Sequence, residues 1–162
     1  REAVVMQMTW PGAPTVYYGD EAGMVGWTDP DNRRSYPWGK QDWELIEFHK
    51  DMIRIHKKYE CFRSGSYKSI ASGSHWICYG RFNKKLQAVI LINNRREMLT
   101  VDLPIWQIGI LENACLKRVV QTTQSTYNVG EVMERAEDGI LHVTVGPQTA
   151  SVYIAAKNVE EN

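Results

Sequence analysis

The chain has 162 residues with 19 Lys plus Arg against 19 Asp plus Glu, a formal net charge of zero. That length allows one ordinary domain, or one small domain with an appendage, and the balance of charge argues against a nucleic-acid or anionic-membrane partner, which needs a surplus of basic groups on one face. No apolar run reaches the length that crosses a bilayer. The cysteines Cys61, Cys78 and Cys115 are odd in number and form no C-x-x-C pair, so neither a disulfide framework nor a zinc site is expected, and three buried thiols in a reducing compartment, a cytoplasmic one, is the simplest expectation. The first residue is Arg1 and it leads straight into Ala3, Val4, Val5, Met6 and Met8, with no polar lead-in or targeting pattern. A segment of something longer is the expectation.

In chain order, the apolar positions of residues 1–10 suit the end of a helix, which Pro11-Gly12 stops. Thr15-Val16-Tyr17-Tyr18 is a β-branched and aromatic run between Pro14 and Gly19; it predicts a short strand buried on both faces, as in a parallel sheet. Residues 19–40 carry six Gly and Pro positions and predict a long functional loop, ordered rather than disordered because Trp27, Tyr36 and Trp38 lie in it. Leu45, Phe48, Met52, Ile55 and Tyr59 recur at helical steps and predict a helix over 41–59. Asp42 and Glu44 stand at its start and Lys57-Lys58 at its end, as the helix dipole prefers. His49 and His56 lack the H-E-x-x-H spacing and read as surface or packed histidines.

Beyond Glu60 the texture changes to short strands: 67–71, 76–82, 87–93, 98–102, 116–120, 127–132, 140–145 and 150–155, mostly separated by turn residues such as Ser72-Gly73-Ser74 and Glu137-Asp138-Gly139. Strands at such close spacing predict an antiparallel sandwich or barrel. Leu141, Val143 and Val145 alternate with His142 and Thr144, which places His142 on the solvent face.

One stretch carries more than texture. Pro11-Gly12-Ala13-Pro14-Thr15-Val16-Tyr17-Tyr18-Gly19-Asp20-Glu21, then Asp29-Pro30-Asp31-Asn32-Arg33-Arg34, then Pro37-Trp38, resembles the end of the (β/α)8 barrel in the α-amylase family of glycoside hydrolases, nearest to its cyclomaltodextrinase, neopullulanase and maltogenic-amylase branch. The resemblance implies a mainly β fold: an antiparallel β-sandwich, the family's domain C, over 60–157, preceded over 1–59 by the last βα unit of a truncated barrel and followed by a tail at 158–162. It implies a C-terminal portion of an enzyme that acts on α-glucosidic bonds of maltodextrins. The catalytic carboxylates of that family sit on earlier barrel strands, so this chain is expected to hold no catalytic residue, metal or cofactor, and to be inactive alone.

The loop after a barrel strand faces substrate, and family members resembling this sequence use an Asp and an Arg at the positions of Asp29 and Arg33 to hold sugar. A carboxylate accepts from vicinal hydroxyls and a guanidinium donates to them. The alternative is that Asp29, Asp31, Arg33 and Arg34 only pin the loop through ion pairs. Adjacent Asp20 and Glu21 point apart at a strand exit and do not make the catalytic pair that retaining hydrolysis requires; a structural role is expected. Asp29-x-Asp31 fails as a calcium loop because Arg33 occupies the next alternate position. Trp27 and Trp38 either stack on sugar or anchor the loop by burial. A competing function is a stand-alone carbohydrate-binding module with Trp76 and Tyr79 as its platform, and a third keeps the family but changes hydrolysis to transfer. A barrel strand without neighbours leaves open edges, so residues 1–40 are expected to be rearranged, partly disordered or paired with another copy.

Overall fold

The computed structural model describes residues 1–110 and 113–156. The end of the sandwich and the tail expected at 158–162 fall outside the described residues. Three helices come first: α1 (Glu2–Thr9), α2 (Trp43–Lys58) and α3 (Cys61–Ser64). Eight strands follow: β1 (Ser66–Gly73), β2 (Trp76–Phe82), β3 (Leu86–Asn93), β4 (Leu99–Pro104), β5 (Cys115–Thr122), β6 (Tyr127–Arg135), β7 (Ile140–Val145) and β8 (Thr149–Ala156). Six of them form an antiparallel sheet in the order β1-β2-β3-β8-β5-β6, and β4 pairs with β7 in a second, two-stranded sheet.

The expected antiparallel sandwich is therefore present, and the large sheet is covered on both faces. Ile90, Ile92, Val152 and Ile154 pack with α1 and α2 in one apolar cluster, while Val89, Leu91 and Tyr153 pack with Leu103, Leu141 and Val143 of the small sheet in another. Successive strand side chains point to opposite faces, so a strand covered on both sides must be apolar throughout. That explains the unbroken run Ala88-Val89-Ile90-Leu91-Ile92 of β3. In β7, covered on one face, Leu141, Val143 and Val145 are buried and His142 and Thr144 exposed, as the alternation predicts.

Helix α2 begins where Asp42 caps it, its side chain accepting from the Leu45 N–H at 2.9 Å. It buries Phe48, His49, Met52 and Ile55, so the apolar stripe lies on the sandwich as expected. His49 and His56 serve as packing groups: each Nδ1 contacts a helix carbonyl, Leu45 O at 2.8 Å and Met8 O at 2.7 Å.

Two expectations are corrected. Thr15–Tyr18 forms no strand, and Val16, Tyr17 and Tyr18 are exposed rather than buried on both faces. Strand conformation needs a ladder partner, and all eight strands of the described residues are committed to the two sheets. The segment is held instead by the Gln7 side chain, which donates to Thr15 O, and by the Tyr18 hydroxyl donating to Arg34 O at 2.9 Å. The cysteines also divide: Cys61 and Cys78 are buried, while Cys115, the first residue of β5, is exposed.

Candidate functional site

The segment 19–40 leaves the extended run and returns to the N-cap of α2. Its first turn is built by backbone bonds, with Ala22 N–H and Met24 N–H both donating to Gly19 O at 3.0 and 2.9 Å. Glu21 belongs to this turn: its carboxylate accepts from Gly19 N–H at 2.9 Å. Desolvation and the adjacent Glu21 carboxylate together raise the Tyr36 phenol above its ordinary value. The far end is tied by Asp42 N–H donating to Ala22 O at 3.1 Å.

Between those ties the loop makes a single 3-10 turn at Asp31–Arg33. A side chain at Gly26 would meet the Asn32 Cα at 2.7 Å, so glycine allows the two arms of the loop to touch. Arg33 donates to Asp29 Oδ2 at 2.7 Å across one turn, and Arg34 donates to Asp31 Oδ1 at 2.8 Å through its Nε. The structure thus brings Asp29 and Arg33 together, each bonded to the other, with side chains 62% and 60% exposed. An ion pair so open is worth at most about 1 kcal/mol. It orders the loop and keeps a carboxylate and a guanidinium side by side, facing solvent and open to hydroxyl groups.

Trp27 and Trp38 are 83% and 80% exposed, so neither anchors the loop by burial. Tyr36 lies against Trp38 with ring centroids 4.6 Å apart, and Tyr17 against Tyr18 at 4.9 Å. Acid, base and bare aromatic rings on one loop make an arrangement suited to sugar, whose hydroxyls bond the charged groups and whose C–H faces stack on rings.

The expected platform of Trp76 and Tyr79 does not form, because Tyr79 is wholly buried. It lies under Trp10 and Tyr67, at 5.2 and 5.7 Å between centroids, and its hydroxyl is 2.6 Å from Thr9 Oγ1. Burial pushes its phenol well above the ordinary range.

Arg81 is the group that sequence reasoning passed over. It is 2% exposed and donates through its two terminal nitrogens to Thr9 O at 2.8 Å and Gly65 O at 3.0 Å, while its Nε has no partner. Thr9 O is one of the carbonyls that a helix leaves unpaired at its C-terminus. With His56 on Met8 O, Arg81 fixes the end of α1 to the sandwich. The available signal was a charge at position 81, on the same face of β2 as Ile77 and Tyr79.

Among relatives, neopullulanase 2 of Thermoactinomyces vulgaris is 36% identical over 113 residues, covering 67% of this chain and 19% of that protein. A cyclomaltodextrinase of Geobacillus thermopakistaniensis is 32% identical over 116 residues, covering 66% and 20%. An Anoxybacillus α-amylase of known structure superposes with a TM-score of 0.80 at 26% identity, covering 99% of this chain and 32% of that one. The chain belongs to the α-amylase family of glycoside hydrolases. An α-amylase of Geobacillus thermoleovorans, solved in complex with acarbose, matches equally well, with a TM-score of 0.81 at 26% identity over 98% of this chain and 33% of that one. No family model matches the sequence. This α-amylase-family chain spans about a fifth or less of the length of the relatives it matches by sequence.

Proposed function

We propose that this chain is the C-terminal portion of an enzyme acting on α-glucans. In this reading residues 1–59 complete a catalytic barrel and the strands that follow them form the supporting sandwich. The chain contributes the loop with Asp29 and Arg33 to the substrate side, and the acid and nucleophile reside on other parts of the enzyme. The observation that carries it is the loop itself: an exposed carboxylate and guanidinium held 2.7 Å apart, on the same loop as Trp27 and Trp38, which the fold leaves uncovered.

Glycoside hydrolysis with retention needs one carboxyl raised in pKa as the acid and a second about 5 Å away as nucleophile. The carboxylates of this loop do different work. Asp29 and Asp31 are ion-paired and exposed, and Glu21 holds a turn. A neutral sugar approaching Asp29 and Arg33 exchanges their mutual bond for bonds to vicinal hydroxyls, which fixes its orientation without forming a covalent bond.

The relatives supply the test. Residues of this chain exchanged into Thermoactinomyces vulgaris neopullulanase 2 over the matched region are expected to give an active enzyme, and Asp29→Ala or Arg33→Ala in that chimera to raise KM more than it lowers kcat. The chain alone is expected to release no glucose or maltose from maltodextrin; measurable release refutes the non-catalytic assignment. Unchanged KM in both variants refutes the loop's role.

A further inference from the structure

The tips of two turns, β1–β2 and β3–β4, stand side by side and leave a cleft of about 520 Å³ between them, with Trp76 on one wall and His75, Asn94, Arg95 and Glu97 around it. A second hollow of about 520 Å³ shares His75, Trp76 and Asn94 and runs on to Met6 and Glu2 of α1. The two together make one groove, mixed polar at the turn end and apolar toward the helix. None of residues 19–40 lines either part.

The groove is held rigidly. Asn94 N–H donates to His75 O at 2.9 Å and ties one turn to the other. Asn93, wholly buried, donates to Glu97 O at 3.0 Å and Gly146 O at 2.7 Å and accepts from Arg95 N–H at 3.2 Å. Its three bonds fix the β3–β4 turn from beneath. Trp76 packs against the apolar cluster under the small sheet, and its indole crosses Gly73, where a Cβ would stand 2.3 Å from Nε1. Only glycine lets the ring lie there.

The donors in the groove are uncommitted. Among the described residues the Asn94 side-chain amide makes no hydrogen bond and Arg96, at the turn end, makes no ion pair, while Arg95 is neutralised by Glu97 at 2.7 Å. With Glu2 at the opposite end, the groove carries little net charge. A partly buried indole, an amide and a planar guanidinium with free N–H groups fit a neutral polyhydroxylated ring: C–H faces stack on the indole while hydroxyls bond the amide and guanidinium.

We propose that this groove is a second maltooligosaccharide-binding site, separate from the Asp29–Arg33 loop. That the sugar is an α-glucan rests on the function proposed above; that it is a neutral sugar rests on the groove.

Two-dimensional ¹H–¹⁵N spectra of the full chain titrated with maltoheptaose test it. The Trp76 indole N–H and the Asn94, Arg95 and Arg96 amides are expected to shift together and saturate. Trp76→Ala is expected to weaken binding by about tenfold, the value of losing one aromatic stacking partner. Asn94→Ala and Arg96→Ala, at exposed positions, are expected to weaken it severalfold while the amides of Cys78 and Leu91 stay in place, which separates lost binding from lost fold. Trp27→Ala is expected to leave the groove's affinity unchanged. Shifts confined to Trp27, Asp29 and Arg33 overturn the groove and leave the loop standing. No saturable shift, or a larger response to inorganic phosphate than to sugar, overturns it as well. Cellohexaose binding where maltoheptaose does not keeps a sugar site but overturns the α-glucan assignment here and counts against the proposed function.

Discussion

Removing the buried guanidinium of Arg81 is the most informative perturbation of this fold. In Arg81→Ala, Thr9 O, which is buried, and Gly65 O, which is part-buried, lose donors at 2.8 and 3.0 Å. The buried Thr9 carbonyl, once orphaned, costs about 1–3 kcal/mol and the part-buried Gly65 carbonyl less, so the two together cost roughly 2–4. Against this stands relief: a charge is no longer desolvated, and an Nε without a partner disappears. The net expectation is a destabilisation of about 2 kcal/mol, with Arg81→Met about 1 kcal/mol milder because methionine fills most of the vacated volume. Urea denaturation measures both, a shift in midpoint at constant slope reporting stability alone. Because one of the two lost bonds holds the end of α1, hydrogen exchange at Val5 to Thr9 is expected to accelerate more than exchange at Val89 to Leu91. An Arg81→Ala chain within about 1 kcal/mol of the parent, or with uniform acceleration across α1 and β3, refutes the argument that this residue fixes the helix to the sheet.

Glycine positions give a sharper contrast: Gly65→Ala places a Cβ 2.3 Å from Cys61 O and 2.9 Å from Phe82 O and is expected to abolish folding in thermal melts. Gly80→Ala meets side chains rather than backbone, Ile108 at 2.8 and 2.9 Å and Ile70 at 3.4 Å, and is expected to cost about 1–3 kcal/mol. Burial raises the Cys61 thiol from 9.0 to about 11, so stability is complete below pH 9 and lost as pH rises toward 11, where the unfolded thiol ionises and the folded one resists; Cys61→Ala is expected to flatten that decline in unfolding curves taken across it. Alkylation of the native chain at pH 8, followed by mass mapping, is expected to modify Cys115 and to spare Cys61 and Cys78 until denaturant is added. Asp29→Asn is expected to change the free energy of unfolding by less than about 1 kcal/mol, since its partner is as exposed as itself; a larger loss in urea assigns the pair a structural task.

Most of the architecture was legible because it rests on period. The 3.6-residue stripe of α2 and the alternation in β7 are consequences of where Cβ atoms point, and each strand expected beyond Glu60 appears within a few residues of its place. Composition cues failed where burial depends on a neighbour. Thr15–Tyr18 and Ala88–Ile92 both carry strand-forming residues without a charge, yet one is exposed and the other lies at the centre of the large sheet; a doubly buried strand is defined by what covers it, and local sequence does not say what that is. The Pro11–Trp38 motifs marked the family before any coordinates. That Asp29 and Arg33 bond each other, that Tyr79 is sealed under Trp10 while Trp76 remains beside an open groove, and that Arg81 reaches two carbonyls distant in sequence, were decided by the tertiary structure alone. Each depends on side chains from separate elements meeting, Arg81 and Thr9 across 72 positions, and no local pattern encodes such a meeting.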